Sequence, residues 1–573
     1  METHSCQNCK NEFLIRPEDI LFYEKIKVPK PTFCPECRLA RRLMWRNNRS
    51  LYPRTCGLCN KNLISMYKDD GTLVYCETCY AGDTWDIYQH AQEIDFSIPF
   101  LIQFQKLFFL QPRVYSVRYG VNINSDYANS LVSSKDMYLA FSCIESEKVL
   151  YSENVDRSRN VFDSLSSAEL EQCSWNNNAN KNYNSHYLID SENCVDSLFL
   201  YDCTNCSNCF MSSNLRNQSY YFKNQKLDKE TYQEKMKEVV LSKYSNLVFL
   251  KKDFQQMIKE SIHRFALVLG SQNATGDLIY NSHDIYKSFD IRNGENISYS
   301  YRMIQAKDCM DCGWIMKGEF EYETMTGSGG CFNQVVCFMC IGSRDIQYSV
   351  SCRNCVDCFG CVGLTNAKYC ILNKQYTKEE YFDLLPKIKE HMMSMPYVDK
   401  KGRVFTYGEF FPYELSLFGY NESLAHDFFR ILKEEAIEKG YKWYERSARE
   451  YITTQTSDTL PDDITDVGNT ILEDIIACPN NGDYKTQCTK AFKIHPEELQ
   501  FLKQKGLPLP RYCPNCRHYE RLSYKNPLTL YTRSAVIIVV QNFNQHMHQT
   551  GQKKSFVKIA INKHYFNNYG KLY

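Results

Sequence analysis

The middle of the chain, residues 114–375, carries short apolar segments at a spacing close to 12 residues. They recur at Met137-Tyr138, Val149-Leu150, Val161-Phe162, Cys173-Ser174, Ser197-Leu198 and Cys209-Phe210. Asn, Ser and Asp fill the stretches between them, as in SENVDRSRN. Brief strands with inward apolar or thiol side chains, and Asn or Ser at stacked turns, produce such a pattern. It predicts a parallel β-helix or a related short solenoid, because no helical period of 3.6 residues is present there.

This predicted solenoid is duplicated. The segments DCTNCSNCF and SCRNCVDCF match at an offset of 149 residues. A charged amphipathic segment follows each half, and we expect these segments to be helices that cap the strand edges. The predicted domains are solenoid half 1 (114–225), a helical segment (226–262), solenoid half 2 (263–375) and a capping helix (376–394). An apolar helical connector (84–113) precedes them, and an aromatic-rich α/β module (395–475) follows.

Four C-x-x-C pairs lie in the N-terminal region of the chain, 1–83. They are Cys6/Cys9, Cys34/Cys37, Cys56/Cys59 and Cys76/Cys79. Two residues between thiolates let one tight turn present both sulfurs to one tetrahedral ion, so two turns complete a closed zinc shell. Taken in order, the pairs predict tandem zinc ribbons over residues 1–83. A cross-braced arrangement and eight ordinary buried thiols are the alternatives.

A partial copy of this region lies near the C-terminus, at an offset of 479 residues. Cys9, Cys34 and Cys37 correspond to Cys488, Cys513 and Cys516. Lys485 stands where the copy of Cys6 is expected, so Cys478 must complete the ligand set from an inserted loop. We therefore predict a degenerate zinc ribbon over residues 476–534, with Cys478, Cys488, Cys513 and Cys516 as ligands.

The match to the first copy stops after Arg533. Reading Asn544–Ile561 from the third base of each codon permits a sequence in which two cysteines return. The hypothesis is that residues 535–573 are a frameshifted, disordered tail, in which Val536–Val540 is a run prone to aggregation.

Charge and composition limit the possible functions. Lys and Arg number 68 against 67 Asp and Glu, which argues against a generally basic nucleic-acid-binding protein. No stretch of 18 apolar residues is present, and the first residues show no secretory signal, so a cytoplasmic location without a membrane span is expected. In the cytoplasm the 28 Cys are expected to stay reduced and to serve as metal ligands or buried groups.

One local basic segment remains a candidate nucleic-acid site. It lies between the second and third C-x-x-C pairs and contains Arg38, Arg41, Arg42, Trp45, Arg46, Arg49 and Arg54. Arginines bind phosphates and aromatic rings stack on unpaired bases. The alternative is a solvated helix between two ribbons, with arginines that pair with acids elsewhere in the protein.

Sixteen cysteines belong to the predicted solenoid, several in C-x-x-C-x-x-C triplets. A second metal or an iron–sulfur cluster is one interpretation. Residues three apart are expected on different faces of a solenoid turn, however, which favours structural stacking of small thiols. No adjacent His and acid indicate a catalytic thiol.

Searches for enzyme motifs find no Walker A loop, no G-x-G-x-x-G after a strand, no H-E-x-x-H and no G-x-S-x-G. Carbohydrate-active enzymes do use β-helix folds, and such an enzyme would need a row of aligned carboxylates on one face. That argument rests on fold alone.

Three motifs point together to one family: FCPECRxxRRxxxRNxRxLYxRxC, the NCxxCxxC repeats and GEFFPYELSxFGYNE. By these motifs the chain resembles a zinc-ribbon plus cysteine-rich solenoid family of candidate-phyla bacteria, up to about Thr532. The resemblance implies that the second ribbon continues past the break, and it implies no activity. We expect a multidomain, mainly β, non-enzymatic zinc scaffold whose solenoid surface binds a macromolecular partner, with a protein as the expected class. Nucleic-acid binding through the arginine segment and a carbohydrate-active enzyme are the alternatives.

Overall fold

The computed structural model describes residues 1–445 and 451–531, together with the backbone of two short strands beyond them. Within these residues the protein is mostly strand with a smaller number of helices. It divides into two compact units. Unit 1 comprises Met1–Ser116, Ala266–Glu445 and Pro527–Tyr531, and unit 2 comprises Val117–Phe265, Arg446–Asn526 and Thr532–Tyr573. Each unit therefore combines one cysteine-rich terminal region with one half of the central strand region.

A three-residue backbone pattern builds the central strands. From Ser130 to Lys223 every third residue has a positive φ, between 45° and 61°. Up to Ser212, the residue after each of these is in the interior: Leu131, Met137 and Cys143 are at most 2% exposed. Asn and Asp adopt positive φ at lower cost than other non-glycine residues, which explains why they are frequent between the apolar segments.

The strands pair in parallel with partners twelve positions before and after them in the chain. Val149 pairs with Met137 on one side and with Val161 on the other. Interior serines reinforce this register, because the Ser158 N–H donates to Ser146 Oγ at 3.1 Å and Ser158 Oγ donates to a carbonyl two residues earlier. Small polar interior residues are thus hydrogen-bonded, as burial requires.

Strand array 1 (residues 117–226, unit 2) contains two sheets. The five-stranded parallel sheet comprises Arg118–Tyr119, Asn129–Val132, Phe141–Ile144, Glu153–Asp156 and Leu165–Ala168. The nine-stranded sheet comprises Lys135–Tyr138, Glu147–Leu150, Arg159–Phe162, Glu171–Ser174, His186–Ile189, Leu198–Tyr201, Ser207–Ser213, Ser219–Phe222 and Gln225–Lys226.

Strand array 2 (residues 268–375, unit 1) is one eleven-stranded sheet. Its strands are Val268–Leu269, Gln272–Tyr280, His283–Arg292, Glu295–Ser298, Tyr301–Ile304, Lys307–Met310, Gly313–Phe338, Arg344–Gln347, Val356–Phe359, Lys368–Ile371 and Lys374–Gln375. The long strand Gly313–Phe338 contains one extra residue, because its interior positions pass from Gly327 to Cys331 rather than to residue 330.

Both arrays end in the same way, with a short antiparallel strand and then a helix. In array 1 the helix is Lys229–Lys237, capped by Asp228, and its buried Tyr232 lies against Tyr220. In array 2 the helix is Lys378–Ser394, and its buried Tyr381 lies against Tyr369. Helices thus follow each strand array at the positions where the sequence predicts them.

The remaining elements of unit 1 surround array 2. Its hairpin strands are Glu2–Ser5 with Glu12–Ile15, Tyr52–Thr55 with Asn62–Ser65, and Tyr397–Val398 with Val404–Phe405, and Val74–Tyr75 pairs in parallel with Arg113–Val114. Its other helices are Pro17–Ile26, Pro35–Leu43, Glu77–Ala81, Phe100–Leu110, Leu424–Phe428 and Lys433–Glu438, with 3₁₀ turns at Tyr413–Leu415 and Tyr420–Glu422. Trp45 stacks on Phe411 in the aromatic core of this unit.

In the part of unit 2 that the structure describes, four helices accompany array 1 besides the 3₁₀ turns. They are the helix Lys229–Lys237 given above, Tyr244–Glu260, Pro496–Lys505 and Pro514–Leu522. The strands Ile476–Ala477 and Ala491–Phe492 form a hairpin, and 3₁₀ turns lie at Ser457–Thr459, Ile464–Asp466, Asn469–Leu472 and Tyr484–Thr486. The predicted module 395–475 is divided, because its first part belongs to unit 1 and residues 451–475 belong to unit 2.

The prediction for the tail concerns residues that lie mostly outside the described part of the chain. Only the backbone of Val536–Ile538 and Lys558–Ala560 is described there, and these two strands pair antiparallel. The frameshift hypothesis stays a prediction. Among the described helices, none has the length and apolar character that a membrane crossing requires.

Candidate metal centres

The structure brings the twelve predicted ligand cysteines together in three groups of four. Group I is Cys6, Cys9, Cys34 and Cys37; group II is Cys56, Cys59, Cys76 and Cys79; group III is Cys478, Cys488, Cys513 and Cys516. Within each group all sulfurs lie within 4.8 Å of one another. Groups I and II follow chain order, so the cross-braced alternative is not the arrangement found.

The local structure of each group explains the convergence. The first pair lies on a hairpin turn: the Lys10 N–H donates to the Cys6 carbonyl at 2.9 Å, and Lys10 has a φ of 64°. The second pair begins a helix, since Cys34 is the N-cap of Pro35–Leu43 and Cys513 that of Pro514–Leu522. In group II, Cys76 is the N-cap of Glu77–Ala81. A turn and a helix start are thus brought face to face in each group.

Group III shows how Cys478 replaces the missing copy of Cys6. The Cys34 N–H donates to Cys6 Sγ at 3.2 Å, and the Cys513 N–H donates to Cys478 Sγ at 3.3 Å. These are the same bond in the two copies. Seven additional residues, 481–487, separate the two cysteines of the first pair in group III. Cys478 therefore reaches its place through an extended turn, as the sequence predicts.

The sulfur positions fit a tetrahedral ion. Four ligands about 2.3 Å from zinc are separated by about 3.8 Å. The Sγ atoms of Cys9 and Cys34 are 3.7 Å apart, those of Cys59 and Cys76 3.9 Å, and those of Cys478 and Cys516 3.8 Å. All three groups can therefore hold one metal ion each. The spacing does not identify the metal.

Hydrogen bonds to the sulfurs favour the thiolate that a metal needs. Burial raises the pKa of the Cys56 thiol, but backbone N–H groups of Cys59 and Cys76 outweigh it and lower this pKa to about 6. In group III, hydrogen bonds from Cys478, Cys488 and Cys516 hold the pKa of Cys513 well below its usual range. Each of these two groups thus stabilises at least one thiolate.

The arginine segment, predicted as a possible nucleic-acid surface, lies largely inside unit 1. Arg38, Arg41, Arg42, Trp45 and Arg46 are 8% exposed or less. Arg49 and Arg54 are half-buried, and Arg54 donates to the carbonyl of Thr72 at 2.9 Å. Buried side chains cannot contact phosphates or bases, so in this structure the segment forms no exposed basic surface. The arginines do pair with acids elsewhere in the protein, as the alternative interpretation expects. The helix that carries them is largely buried, however, and not solvated.

Two array carboxylates receive the buried arginines. Asp311 accepts Arg38 Nε at 2.9 Å and Arg42 Nη2 at 3.2 Å. Glu323, twelve positions further along array 2, accepts Arg42 Nη1 at 2.5 Å and Arg41 Nη2 at 2.8 Å. Both acids occupy positive-φ positions and are fully buried. The helix that begins at Cys34 is therefore fastened to array 2 by its own arginines.

The same arrangement recurs in unit 2. Arg517 and Arg521, the copies of Arg38 and Arg42, each place Nη1 2.5 Å from one carboxylate oxygen of Asp163. Asp163 also has a positive φ, 49°, and lies in array 1. Glu498, from the helix Pro496–Lys505, accepts Arg517 at 2.8 Å. In both units, then, a helix that starts at a candidate metal ligand is docked on a strand array through a pair of arginines.

The sixteen array cysteines are buried. All three cysteines of the triplet Cys203, Cys206 and Cys209 point into the interior, at 0–1% exposure. The expectation that residues three apart lie on different faces of a solenoid turn stays a prediction. The Cys203 thiol donates to the Tyr201 carbonyl at 3.4 Å, and Ser191, twelve positions earlier, makes the matching bond to the Ile189 carbonyl. Among the described residues, no three array sulfurs lie within 4.8 Å of one another.

The acids that receive the arginines are not identified by sequence reasoning. Asp311 and Asp163 lie hundreds of residues from their partners in the chain. One signal was available: the pattern C-P-x-C-R-x-x-x-R occurs in both copies, at Arg38 and Arg42 and at Arg517 and Arg521. The paired arginines belong to the repeated unit, whereas Arg41 and Arg46 do not.

Comparison with known proteins adds no assignment. No protein-family model matches the chain, and no curated protein matches it.

Proposed function

We propose that this protein is a zinc-stapled solenoid scaffold that binds a protein partner. In this proposal groups I–III each hold one structural zinc ion, arrays 1 and 2 are parallel β-helix-like solenoids, and the outer faces of the arrays provide the contact surface. The chain itself performs no chemistry in this role.

The arrays support the solenoid assignment through their regular register. Parallel pairing between positions twelve apart, one interior side chain in every three and positive φ at the intervening positions are the features of a tightly wound coil with stacked turns. Stacked Asn and Asp side chains continue the register outside, as where Asn178 donates to Asp190 at 2.6 Å. Solenoids characteristically supply extended binding surfaces.

Zinc is the metal favoured by the donor set. Four thiolates with tetrahedral spacing leave no position for water or substrate, which is typical of a structural rather than a catalytic zinc site. Zinc would contribute to folding by holding a turn and a helix start together.

The single observation that carries the proposal is the paired-arginine docking in both units. Arg42 binds Asp311 and Glu323, and Arg521 binds Asp163, so each metal-holding helix is part of the same packed body as its array. A metal that fixes the helix thereby stabilises the array surface. For the nucleic-acid alternative the described residues offer no comparable observation.

Elemental mass spectrometry on the full chain, purified under reducing conditions, tests the metal assignment. We expect three zinc ions per chain and no iron, together with a lower unfolding midpoint after chelation. Iron with sulfide, or more than three zinc ions, would contradict the proposal and would make the array thiols candidate metal ligands.

Fluorescence anisotropy with a labelled single-stranded RNA separates the two binding hypotheses. The buried arginines lead us to expect no binding that weakens steeply with salt. Salt-dependent binding by the folded, metal-loaded chain would favour the nucleic-acid alternative.

Photo-crosslinking tests where a protein partner binds. Crosslinks from exposed array positions such as Arg159 would locate the partner on the outer face, and exposed Lys61, outside the arrays, is the control position.

A further inference from the structure

The three cysteine groups differ in what covers the turn that carries their first cysteine pair. In group I this turn is held by the segment 397–445. Gln7 Nε2 donates to the Val404 carbonyl at 2.9 Å, and the Val404 N–H donates back to Gln7 Oε1 at 2.8 Å. Arg403 donates to Asn8 Oδ1 at 2.8 Å. The turn of group I is thus half-buried against the segment 397–445.

Group III covers its own turn with the seven inserted residues. Asn515 donates to the Gln487 carbonyl at 2.8 Å, and the Thr486 hydroxyl lies 3.4 Å from Cys516 Sγ. All four cysteines of this group are buried. The insertion therefore shields the sulfurs that it helps to assemble.

Groups I and III also share a hydrogen bond that group II lacks. Two residues after the first cysteine, Asn8 and Asn480 each donate to the fourth sulfur, of Cys37 and Cys516, at 3.3 Å. The corresponding residue in group II is Leu58, which has no side-chain donor. Hydrogen bonds to metal-bound sulfur are a main means by which the surrounding protein tunes a metal site.

In group II, the turn that carries the first cysteine pair is open to solvent. Residues 57–61 are all exposed, as are Glu77 and Thr78 beside the second pair. Cys59 is the one exposed cysteine among the 28, all of which lie in the described residues. Its Sγ is 3.9 Å from that of Cys76. Oxidation by a peroxide needs a thiolate that the oxidant can reach. A cysteine that binds a metal is a thiolate, and Cys59 is the exposed one.

We propose that Cys59 is a site of oxidation by peroxides and that its oxidation releases the metal of group II while groups I and III keep theirs. The Cys59 thiolate attacks one peroxide oxygen, so the O–O bond breaks and hydroxide leaves. The Cys76 thiolate then attacks the Cys59 sulfur, a disulfide forms and the S–OH bond breaks. Two thiolates supply two electrons, and the peroxide becomes two waters after taking up two protons. Cys56 and Cys79 would then be the two thiolates left to hold a metal ion, and two thiolates would not complete the four-ligand shell that retains it. This inference rests on the proposed zinc content.

Stepwise treatment of the zinc-loaded full chain with hydrogen peroxide tests this proposal. A chromogenic zinc chelator follows the metal, and differential alkylation with peptide mass spectrometry follows each thiol. We expect a first phase that releases one zinc per chain while Cys59 and Cys76 lose their reactivity to alkylation. Simultaneous release from all groups, or earlier oxidation of Cys9 or Cys488, would overturn the proposal.

A pair of reciprocal substitutions keeps every ligand in place. Leu58→Asn gives group II the missing donor, and Asn8→Leu removes it from group I. Since partners of this kind change metal affinity by roughly 10- to 100-fold, we expect release from group II to slow and release from group I to accelerate over a comparable range. Unchanged rates in both variants would contradict the role of the hydrogen bond.

The experiment also separates this inference from the function on which it rests. A chain purified without zinc would refute the proposed zinc scaffold. A chain with three zinc ions that are lost at one common rate would leave the scaffold standing and refute only the selective oxidation of group II.

Discussion

Arg521 binds Asp163 through a 2.5 Å contact in which neither side chain is more than 5% exposed. Arg517 binds the other carboxylate oxygen of Asp163 and also binds Glu498, so two acids face two buried guanidinium groups. Asp163→Asn would remove the one carboxylate that both guanidinium groups share. Breaking a buried ion pair in this way costs about 3–5 kcal/mol. We expect a clear fall in the urea midpoint of the unfolding transition of unit 2, followed by circular dichroism.

A surface ion pair in the same array gives the matched control. Arg157 and Glu169 are 3.3 Å apart, but their side chains are 53% and 46% exposed. Exposed pairs contribute about 0–1 kcal/mol, so Glu169→Gln should leave the midpoint nearly unchanged. Equal shifts in the two variants would show that the arginine docking does not stabilise unit 2.

Removal of one ligand of group III should affect unit 2 alone. Cys513 is both a candidate ligand and the N-cap of Pro514–Leu522, the helix that carries Arg517 and Arg521. For Cys513→Ser we expect one metal ion fewer per chain and new protease cleavage between residues 478 and 522. Elemental analysis and limited proteolysis measure these effects. Full metal content in this variant would exclude group III as a metal site.

Serine substitution inside an array should have a much smaller effect. Cys203 donates to the carbonyl of Tyr201, and serine makes the equivalent bond at Ser191 and Ser197. Cys203→Ser therefore keeps the interior hydrogen bond and loses only some apolar contact. We expect unchanged metal content and a loss of stability of roughly 1 kcal/mol, since typical single substitutions fall in this range. Loss of metal would identify the array thiols as ligands.

The sequence predicts the metal groups well because their information is local. The helix begins at Pro35, between Cys34 and Cys37, and this local pattern specifies the turn and its direction without help from the rest of the chain. Even Cys478 could be predicted, since it is the one cysteine near the place left empty by Lys485. The twelve-position spacing likewise appears in the sequence through residues such as Val149 and Val161.

Two other features, the three-residue period of the arrays and the burial of the arginines, could not be predicted from the sequence. The three-residue period is hidden because Leu131, Ser134, Met137, Ala140 and Cys143 are all interior, although they alternate between apolar, hydroxyl and thiol side chains. Hydropathy shows no period of three in such a mixture. The burial of the arginines could not be predicted either. A helix rich in arginine is expected to be exposed unless acids that pair with it are known, and here those acids come from distant parts of the chain.

Glu321 is a buried acid that no cation balances among the described residues. Glu321 occupies an interior position of array 2, is 0% exposed, and neither carboxylate oxygen has a hydrogen-bond partner in the described structure. Burial, assisted by the nearby thiols of Cys331 and Cys312, raises the pKa of this carboxyl well above its usual value. The folded protein therefore retains a proton that the unfolded chain loses near pH 4.3.

Between these two pKa values the folded state binds more protons, so the free energy of unfolding falls as pH rises, by up to about 1.4 kcal/mol per pH unit. Glu321→Gln removes the titrating proton and should flatten the dependence, so that the variant gains stability over the wild type from pH 5 to pH 8. Urea midpoints at several pH values measure this difference. Glu319→Gln, two residues earlier and half-buried, serves as the control. Parallel curves for wild type and Glu321→Gln would mean that the buried carboxyl titrates alike in both states.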